Sequence, residues 1–376
     1  MSGLAWLWPA KLRNTTSARD TLRSLLSLTG AVLAALLVGS ILIALAGVSP
    51  LKAYEALIAN SIGSRNGWGE TLVKTVPLLL AGLGAAFAFR ARIFNIGIEG
   101  QLYAGALGAA IVGLFLGQLP LWLGIPLMLL SGFVAGGLWA GIAGVLKVKF
   151  KANEIIVTLM LNYIAFELMS YLLNGPWRDP AGTEAYTAHF VDGTILPIIL
   201  SGTRLHAGII VALIATAVIW WVIRRTVLGY QVTVTGAGEE AARYGGVNIK
   251  RVLLTTLFIS GGLAGLAGAC EAAGLQHRVL LGISPNYGYT AIAVAMLGRQ
   301  EPLGVAVAAV FFAALIVGVS GMQDFTGVPV SLVFIIEGLI LIFIVGSQAR
   351  RHKRVKAQKA VDVDQPPPSP AEEAQH

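Results

Sequence analysis

Acidic and amide side chains stand where the surrounding sequence is apolar, and they are the groups with which this chain could do chemistry. The stretch Phe94-Asn95-Ile96-Gly97-Ile98-Glu99-Gly100-Gln101 lies between apolar runs at 71–89 and 102–119. Glu154, Thr158, Asn162 and Glu167 lie near one stripe of a second apolar run, and Glu271 and Glu337 are buried singly in later ones. Such groups can hold a proton or cation, hydrogen-bond a polar solute in an aqueous path, bond a neighbouring helix, or cap a helix end. A charged side chain at the centre of a membrane helix costs about 2.5–3.5 kcal/mol on insertion scales, so a functional role is the default for Glu99. The competing reading makes Gly97 and Gly100 a turn and Glu99 the cap of the next helix. For the Glu154 stripe the choice is between an aqueous path and helix–helix hydrogen bonds.

Other chemistry is missing. Cys270 is the single cysteine, so neither an intrachain disulfide nor a C-x-x-C metal motif exists. His189, His206, His277, His352 and His376 are too scattered for a zinc motif. No Ser/His/Asp or Cys/His grouping falls on neighbouring turns, and no G-x-x-x-x-G-K-[ST] phosphate loop occurs. The sequence therefore offers no metal site and no ATPase of the phosphate-loop kind, and it disfavours a membrane enzyme such as an intramembrane protease, whose catalytic partners would have to come from distant parts of the chain.

The elements that must position these residues are membrane helices. The chain is 56% hydrophobic and 12% charged, with mean hydropathy +0.75, where a soluble domain carries about 25% charged residues. The expected fold is all-α, a polytopic transmembrane helical bundle of about ten membrane segments, some broken or partial. Forty-five glycines suit closely packed membrane helices. The net charge of +8 is concentrated at Lys11–Arg23, Lys147–Lys151, Arg224–Arg225, Lys250–Arg251 and Arg350–Lys356. These clusters flank apolar runs, which is the positive-inside pattern. They form no contiguous basic face, so no nucleic-acid polymer is expected as a partner.

In order, residues 1–24 form a basic cytoplasmic segment and 25–48 the first span of a permease domain covering 25–347. A short interfacial helix is expected within 53–62, and further spans at 71–89, 102–119, 121–146, 154–173, 207–223 and 252–275. Residues 286–297 read as a partial helix of the kind transporters place at binding sites, followed by spans at 303–320 and 328–347. Gly132/Gly136, Gly137/Gly141, Gly261/Gly265 and Ala264/Gly268 are small pairs four apart that permit close helix approach. The 174–206 loop faces outside and the polar 226–251 loop faces the cytoplasm, with both termini inside. In the latter, Glu239, Glu240, Ala241, Ala242 and Tyr244 read as a short helix stopped at Gly245. Residues 348–376 are basic and then Pro/Glu/Gln-rich, a composition expected to be disordered. Arg92 precedes Gly97 by the offset at which Arg299 precedes Gly304, a weak internal echo.

Several blocks together carry a resemblance. F-N-I-G-I-E-G-Q at 94–101, N-E-I-I-V-T-L-M-L-N-Y-I-A at 153–165, G-P-W-R-D-P at 175–180 and Y-G-Y-T-A-I-A-V-A-M-L-G-R-Q-E-P at 287–302 resemble, in order, ABC importer permeases for nucleosides and simple sugars. That family is related to the ribose and branched-chain amino-acid permeases, and this chain is similar to the longer of its two permease types. The resemblance implies a bacterial cytoplasmic (inner) membrane complex. Its parts would be a second permease subunit, ATP-binding subunits that hold the ATP, and an extracytoplasmic substrate-binding lipoprotein. No cofactor is implied for this chain itself. It further implies that 236–247 is the coupling segment, docking on the ATPase through Glu239, Glu240, Ala241, Ala242, Tyr244 and Gly245. Asn95, Glu99, Gln101, Glu154, Asn162 and Glu271 are the candidate residues of the solute path. Glu239 departs from the proline the family often has there, and Glu337 from its more usual glutamine. From the residues alone the alternative is an ion-coupled secondary transporter using Glu99, Glu154, Glu271 or Glu337, which would need no docking segment.

Overall fold

Helices take up nearly every apolar run in the computed structural model, which describes residues 36–116 and 119–329 and a few single positions flanking them. The 1–24 segment, most of the 25–48 span, most of the 328–347 span with Glu337, and the 348–376 tail lie outside the described residues. The chain divides into two compact units, and residues 51–329 form the larger. Of the other unit, Leu36–Leu45 is a short apolar helix.

The larger unit is built from α1 (Pro50–Ser61), α2 (Arg65–Arg90), α3 (Ile98–Phe115), α4 (Leu121–Phe150), α5 (Glu154–Asn174) and α6 (Gly208–Arg225), then α7 (Val227–Ala237), α8 (Glu239–Tyr244), α9 (Ile249–Glu271), α10 (Tyr287–Leu297) and α11 (Pro302–Thr326). Among the described residues, seven helices are long and apolar enough to cross a membrane, and α10 is a shorter apolar piece. The all-α expectation holds, and the number of about ten segments is not reached within these residues.

Two boundaries differ from expectation for local reasons. α2 begins six residues before the expected 71, because the Ser64 hydroxyl accepts the Gly67 N–H at 3.0 Å and caps a polar first turn. The break after it is shorter than the expected 95–101. α3 starts at Ile98, so Glu99 and Gln101 belong to its first turn, where a negative side chain meets the positive end of the helix dipole.

α2, α3 and the α9 span are 89%, 78% and 67% buried, whereas α4, α5 and α6 are each 28% buried, so the first three form the interior and the others a shell. All six are apolar, so hydropathy does not sort them. Small residues mark where α9 meets α3 and α4. A Cβ on Gly105 of α3 would fall on the Gly265 backbone of α9, and one on Gly268 would strike the Leu102 carbonyl. Gly132 and Gly136 of α4 meet α9 at Gly261, Gly265 and Ala269, and Gly137 meets Phe258. Without a hydrophobic drive between helices in lipid, such backbone approach supplies the packing energy. Gly141 does not take part, having nothing within 4 Å of its would-be Cβ.

The 174–206 loop is a strap tied to the segment after α9. Thr187 N–H donates to Val279 O at 2.9 Å, Phe190 N–H to His277 O at 2.9 Å, and Leu196 N–H to Ala273 O at 3.1 Å. Arg278 lies 4.2 Å from the centre of the Tyr186 ring. At the opposite, basic end the echo of Arg92 and Arg299 has a structural counterpart. Both adopt left-handed backbone, at φ 56° each. Both end their helix with the same pair of bonds: Arg92 N–H to Phe89 O and Ile93 N–H to Ala88 O, then Arg299 N–H to Met296 O and Gln300 N–H to Ala295 O.

Gly265→Val should therefore be strongly destabilising and Gly141→Val close to neutral. Overpacking costs about 1–3 kcal/mol, and here backbone would have to move. Thermal unfolding in detergent checks this, and equal losses in the two variants would contradict the proposed crossing.

Candidate functional site

The irregular 91–97 segment leaves backbone groups that the interior must satisfy, and amide side chains do so. Asn95 Nδ2 donates to Gln101 Oε1 at 2.8 Å and to Ser260 Oγ of α9 at 2.9 Å. Its Oδ1 accepts from Gln101 Nε2 at 2.9 Å and from Gly97 N–H at 3.0 Å. Two donors and two acceptor positions are the whole capacity of an asparagine side chain, so Asn95 is saturated. From α5, Asn162 Oδ1 accepts the Gly100 N–H at 2.8 Å, and Nδ2 donates to Ile96 O at 2.9 Å and to Tyr289 Oη at 3.2 Å. Thr158 Oγ1 accepts the Ile96 N–H at 3.3 Å. Gly97 and Gly100 are required by close approach: a Cβ on either would lie 2.9 Å or less from α5 atoms.

Glu99 reaches across to α10. Its Oε2 accepts the Gly288 N–H at 2.6 Å. Gly288 is in the first turn of α10, and a Cβ there would lie 2.6 Å from Glu99 Cα. Two helix N-termini thus meet at one carboxylate, which both dipoles favour. The other oxygen, Oε1, is buried without a well-formed hydrogen bond among the described residues, although the Ser284 and Tyr103 hydroxyls stand beside the carboxyl group.

The expected path residues therefore separate. Asn95, Glu99, Gln101 and Asn162 are brought together, and all four are buried. Glu154 is elsewhere, paired with Lys147 at 2.7 Å across the turn between α4 and α5. Glu271 ends α9 in a second buried group, with Oε2 lacking a partner among the described residues. The charges that act on it are those of Lys74 and of Arg204 and Glu70. Lys74 Nζ lies 5.3 Å from the Tyr287 ring centre. A single π-helical turn, Ala272–Gln276, follows Glu271 and packs Gly274 against the His206 ring. Arg204 holds Glu70 by two bonds, 2.8 and 2.5 Å, and this hydrogen bonding raises the arginine pKa further. Burial, helped by His277, pulls the His206 pKa down to about 4. A neutral ring agrees with Nδ1 accepting the Gly208 N–H at 3.1 Å.

Glu167 does not share the stripe of Glu154, Thr158 and Asn162. It lies about 140° around the helix from Asn162, since five residues advance about 100° each, and it is exposed while Thr158 and Asn162 are buried. Tyr289, Ser260, Ser284 and Tyr103 were not singled out from sequence. Their apolar surroundings hid Ser260 and Tyr103. The twin tyrosines around Gly288 point to Tyr289, and no sequence signal marks Ser284.

The expected 239–244 helix is present as α8, closed by the Gly245 N–H donating to Ala241 O at 3.0 Å. Glu239, Glu240, Ala241, Arg243 and Tyr244 are exposed, Tyr244 to 94%. Ala242 differs from the expectation that it lies on a partner-facing side. It is 0% exposed and turns inward. The helix needs one small residue to sit on its own chain, and this is the one. Below α8, Arg90 binds Glu301 at 2.6 Å and the Gln300 carbonyl at 3.0 Å, and Gly236 of α7 abuts the Arg90 carbonyl.

Residues 68–345 match the family described as the permease component of the branched-chain amino acid transport system. A glucose ABC transporter permease protein of Haloferax volcanii is 40% identical over 334 residues, covering 86% of this chain and 88% of its own. A guanosine ABC transporter permease protein of Bacillus subtilis is 35% identical, covering 88% and 95%. A nucleoside ABC transporter permease protein of Lactococcus lactis is 31% identical, covering 84% and 88%.

Removing the Glu99 acceptor should orphan the Gly288 amide. Glu99→Ala is expected to lower stability by about 1–3 kcal/mol, and Glu99→Gln, which keeps an acceptor, by less. Unfolding midpoints of the purified variants check the order. Equal stability of all three proteins would show that the carboxylate holds nothing.

Proposed function

The chain belongs to the family of permease components of branched-chain amino acid transport systems, and on that footing we propose that it carries nucleosides, or a related simple sugar, through the bacterial cytoplasmic membrane. It is a multi-pass membrane subunit of an ABC transporter and no enzyme; ATP hydrolysis belongs to a separate subunit. In the proposed complex a second permease subunit faces it, an extracytoplasmic lipoprotein delivers the solute, and the ATPase subunits bind the ATP. The positive-inside pattern puts the basic end of the helices on the cytoplasmic side. The solute names of the relatives, guanosine, nucleoside and glucose, support a hydroxyl-bearing ring as cargo.

The observation that carries the coupling role is α8. It is a six-residue helix between α7 and α9 with five residues exposed and Tyr244 almost wholly so. A helix this short is not stable alone, and its inward Ala242 and flanking glycines hold it in place. Its outer face offers Glu239, Glu240, Arg243 and Tyr244 to a partner, the mixture of aromatic anchor and orienting charge found at interfaces. Motion at α8 reaches the core through Gly236, which touches the Arg90 carbonyl where α2 ends. ATP binding and hydrolysis then make the inward- and outward-open states differ in free energy, which solute binding alone cannot sustain through a cycle.

Tyr244→Ala is the appropriate probe, because Ala242→Trp would disturb this chain's own packing. Loss of an aromatic anchor should weaken ATPase association about tenfold, with uptake falling in parallel and membrane insertion unchanged. An exposed substitution with no partner stays within about 0.5 kcal/mol. Wild-type ATPase binding and uptake in Tyr244→Ala would remove the coupling role, and uptake that survives ATP depletion would remove the ABC mechanism.

A further inference from the structure

Most helices of the shell present apolar surface. The exposed large side chains of α6 are Ile210, Leu213, Ile214, Val218 and Trp221, as lipid contact requires. α5 differs. From its midpoint to its outer end, one face carries Tyr163, Glu167, Ser170, Tyr171 and Asn174, at helical spacing. Tyr163 is 62% and Tyr171 69% exposed, and Glu167 is exposed between them. Glu167 makes no ion pair or hydrogen bond among the described residues. It lies only about 5 Å beyond the helix midpoint, three residues at about 1.5 Å each. A carboxylate at that depth facing hydrocarbon is unfavourable, and such residues face a partner or an aqueous path. The same face turns apolar toward the basic end, with Ile156 59% and Met160 47% exposed. The polar track therefore runs inward from the outer end and gives way to apolar residues midway.

Beside this track stands Tyr289, 38% exposed, whose hydroxyl accepts from Asn162 and which lies within electrostatic range of Tyr163. The buried amides Asn95 and Asn162 are taken up by neighbouring side chains and backbone, whereas the α5 face exposes polar groups with free hydrogen-bonding capacity. We propose that the outer half of the α5 face, Tyr163, Glu167 and Tyr171 with Tyr289 at its edge, is one wall of the solute path and binds a hydroxylated ring. Glu167 accepts the hydroxyls of a pentose or hexose, and the tyrosines cover the ring face. A carboxylate accepting neutral hydroxyls forms charge-assisted hydrogen bonds, and aromatic side chains supply stacking area with a polar tip. The wall is open on its far side, so another chain of the complex must complete it. This inference rests on the transport of nucleosides or sugars proposed above.

The test uses the whole transport complex in intact cells. Cys270 is the only cysteine and is buried, so Cys270→Ala gives a clean background. Single variants Glu167→Cys and Tyr171→Cys are exposed to a membrane-impermeant thiosulfonate reagent, with Leu213→Cys as the lipid-facing control. Both α5 positions should react and Leu213→Cys should not. A nucleoside at about ten times its Kd should slow the reaction about tenfold, since it leaves about a tenth of the sites open. Glu167→Gln should raise the uptake KM about tenfold, the loss expected of one charged hydrogen bond, with unchanged amounts of complex. If glucose protects and nucleosides do not, the wall stands and the nucleoside reading falls. Reactivity no greater than at Leu213→Cys, reaction without protection by either solute, or wild-type uptake by Glu167→Leu would each overturn the proposal.

Discussion

Two helices begin inside this membrane protein, and their N-termini meet at the Glu99 carboxylate. A helix start leaves backbone N–H groups without intrahelical acceptors. In water the solvent would satisfy them, but in a bilayer interior protein must. Glu99 sits in the first turn of α3 and accepts the first-turn amide of α10 at Gly288, 2.6 Å away. One negative group thus serves two positive dipole ends, and the cost of burying it is offset by both. Glycine at 97, 100 and 288 is what lets the three backbones come this close.

The neighbouring amides follow from the same constraint. Once the chain is broken between α2 and α3, the Ile96, Gly97 and Gly100 backbone groups need partners, and Asn95, Asn162 and Thr158 supply them. Ser260 draws α9 into the group. The cluster therefore ties α3, α5, α9 and α10 together. Residues that look like a solute site in an apolar sequence are here the fasteners of the broken backbone. Asn95, whose four hydrogen-bonding positions are all used, makes the network rigid and dependent on its members. This cluster keeps the helix ends around it in register. At the basic end, the Arg90–Glu301 pair joins the α2 terminus to the start of α11, and the Gly236 contact joins it to α7, which leads to α8.

Much of the fold was legible in the sequence because apolar runs of membrane length have one structural outcome. The partial helix at 287–297 and the short helix at 239–244 followed from glycine and charge punctuation. What was not legible had physical reasons. The first turn of α2 is polar, so only its serine cap betrays it. Apolarity could not separate core from shell, because lipid and protein interior select the same residues; the paired glycines instead mark the contact between α4 and α9, Gly141 excepted. Glu167 was placed on the wrong stripe because a run of polar residues in a helix need not share a face. Ala242 looked like a docking residue because smallness serves a partner and the chain's own packing equally. Glu154 found its cation at Lys147, seven residues away across a turn that sequence alone could not fold.

The claim at the centre is that Glu99 holds the start of α10. Hydrogen exchange of the Gly288 amide in the detergent-solubilised protein measures that bond directly. In the wild type the amide should exchange slowly although it begins a helix. In Glu99→Ala it should exchange at least about tenfold faster, as expected for loss of a buried charged acceptor, while amides in the middle of α2 and α9 keep their rates. An unchanged rate at Gly288, or an equal acceleration throughout the bundle, would contradict the account.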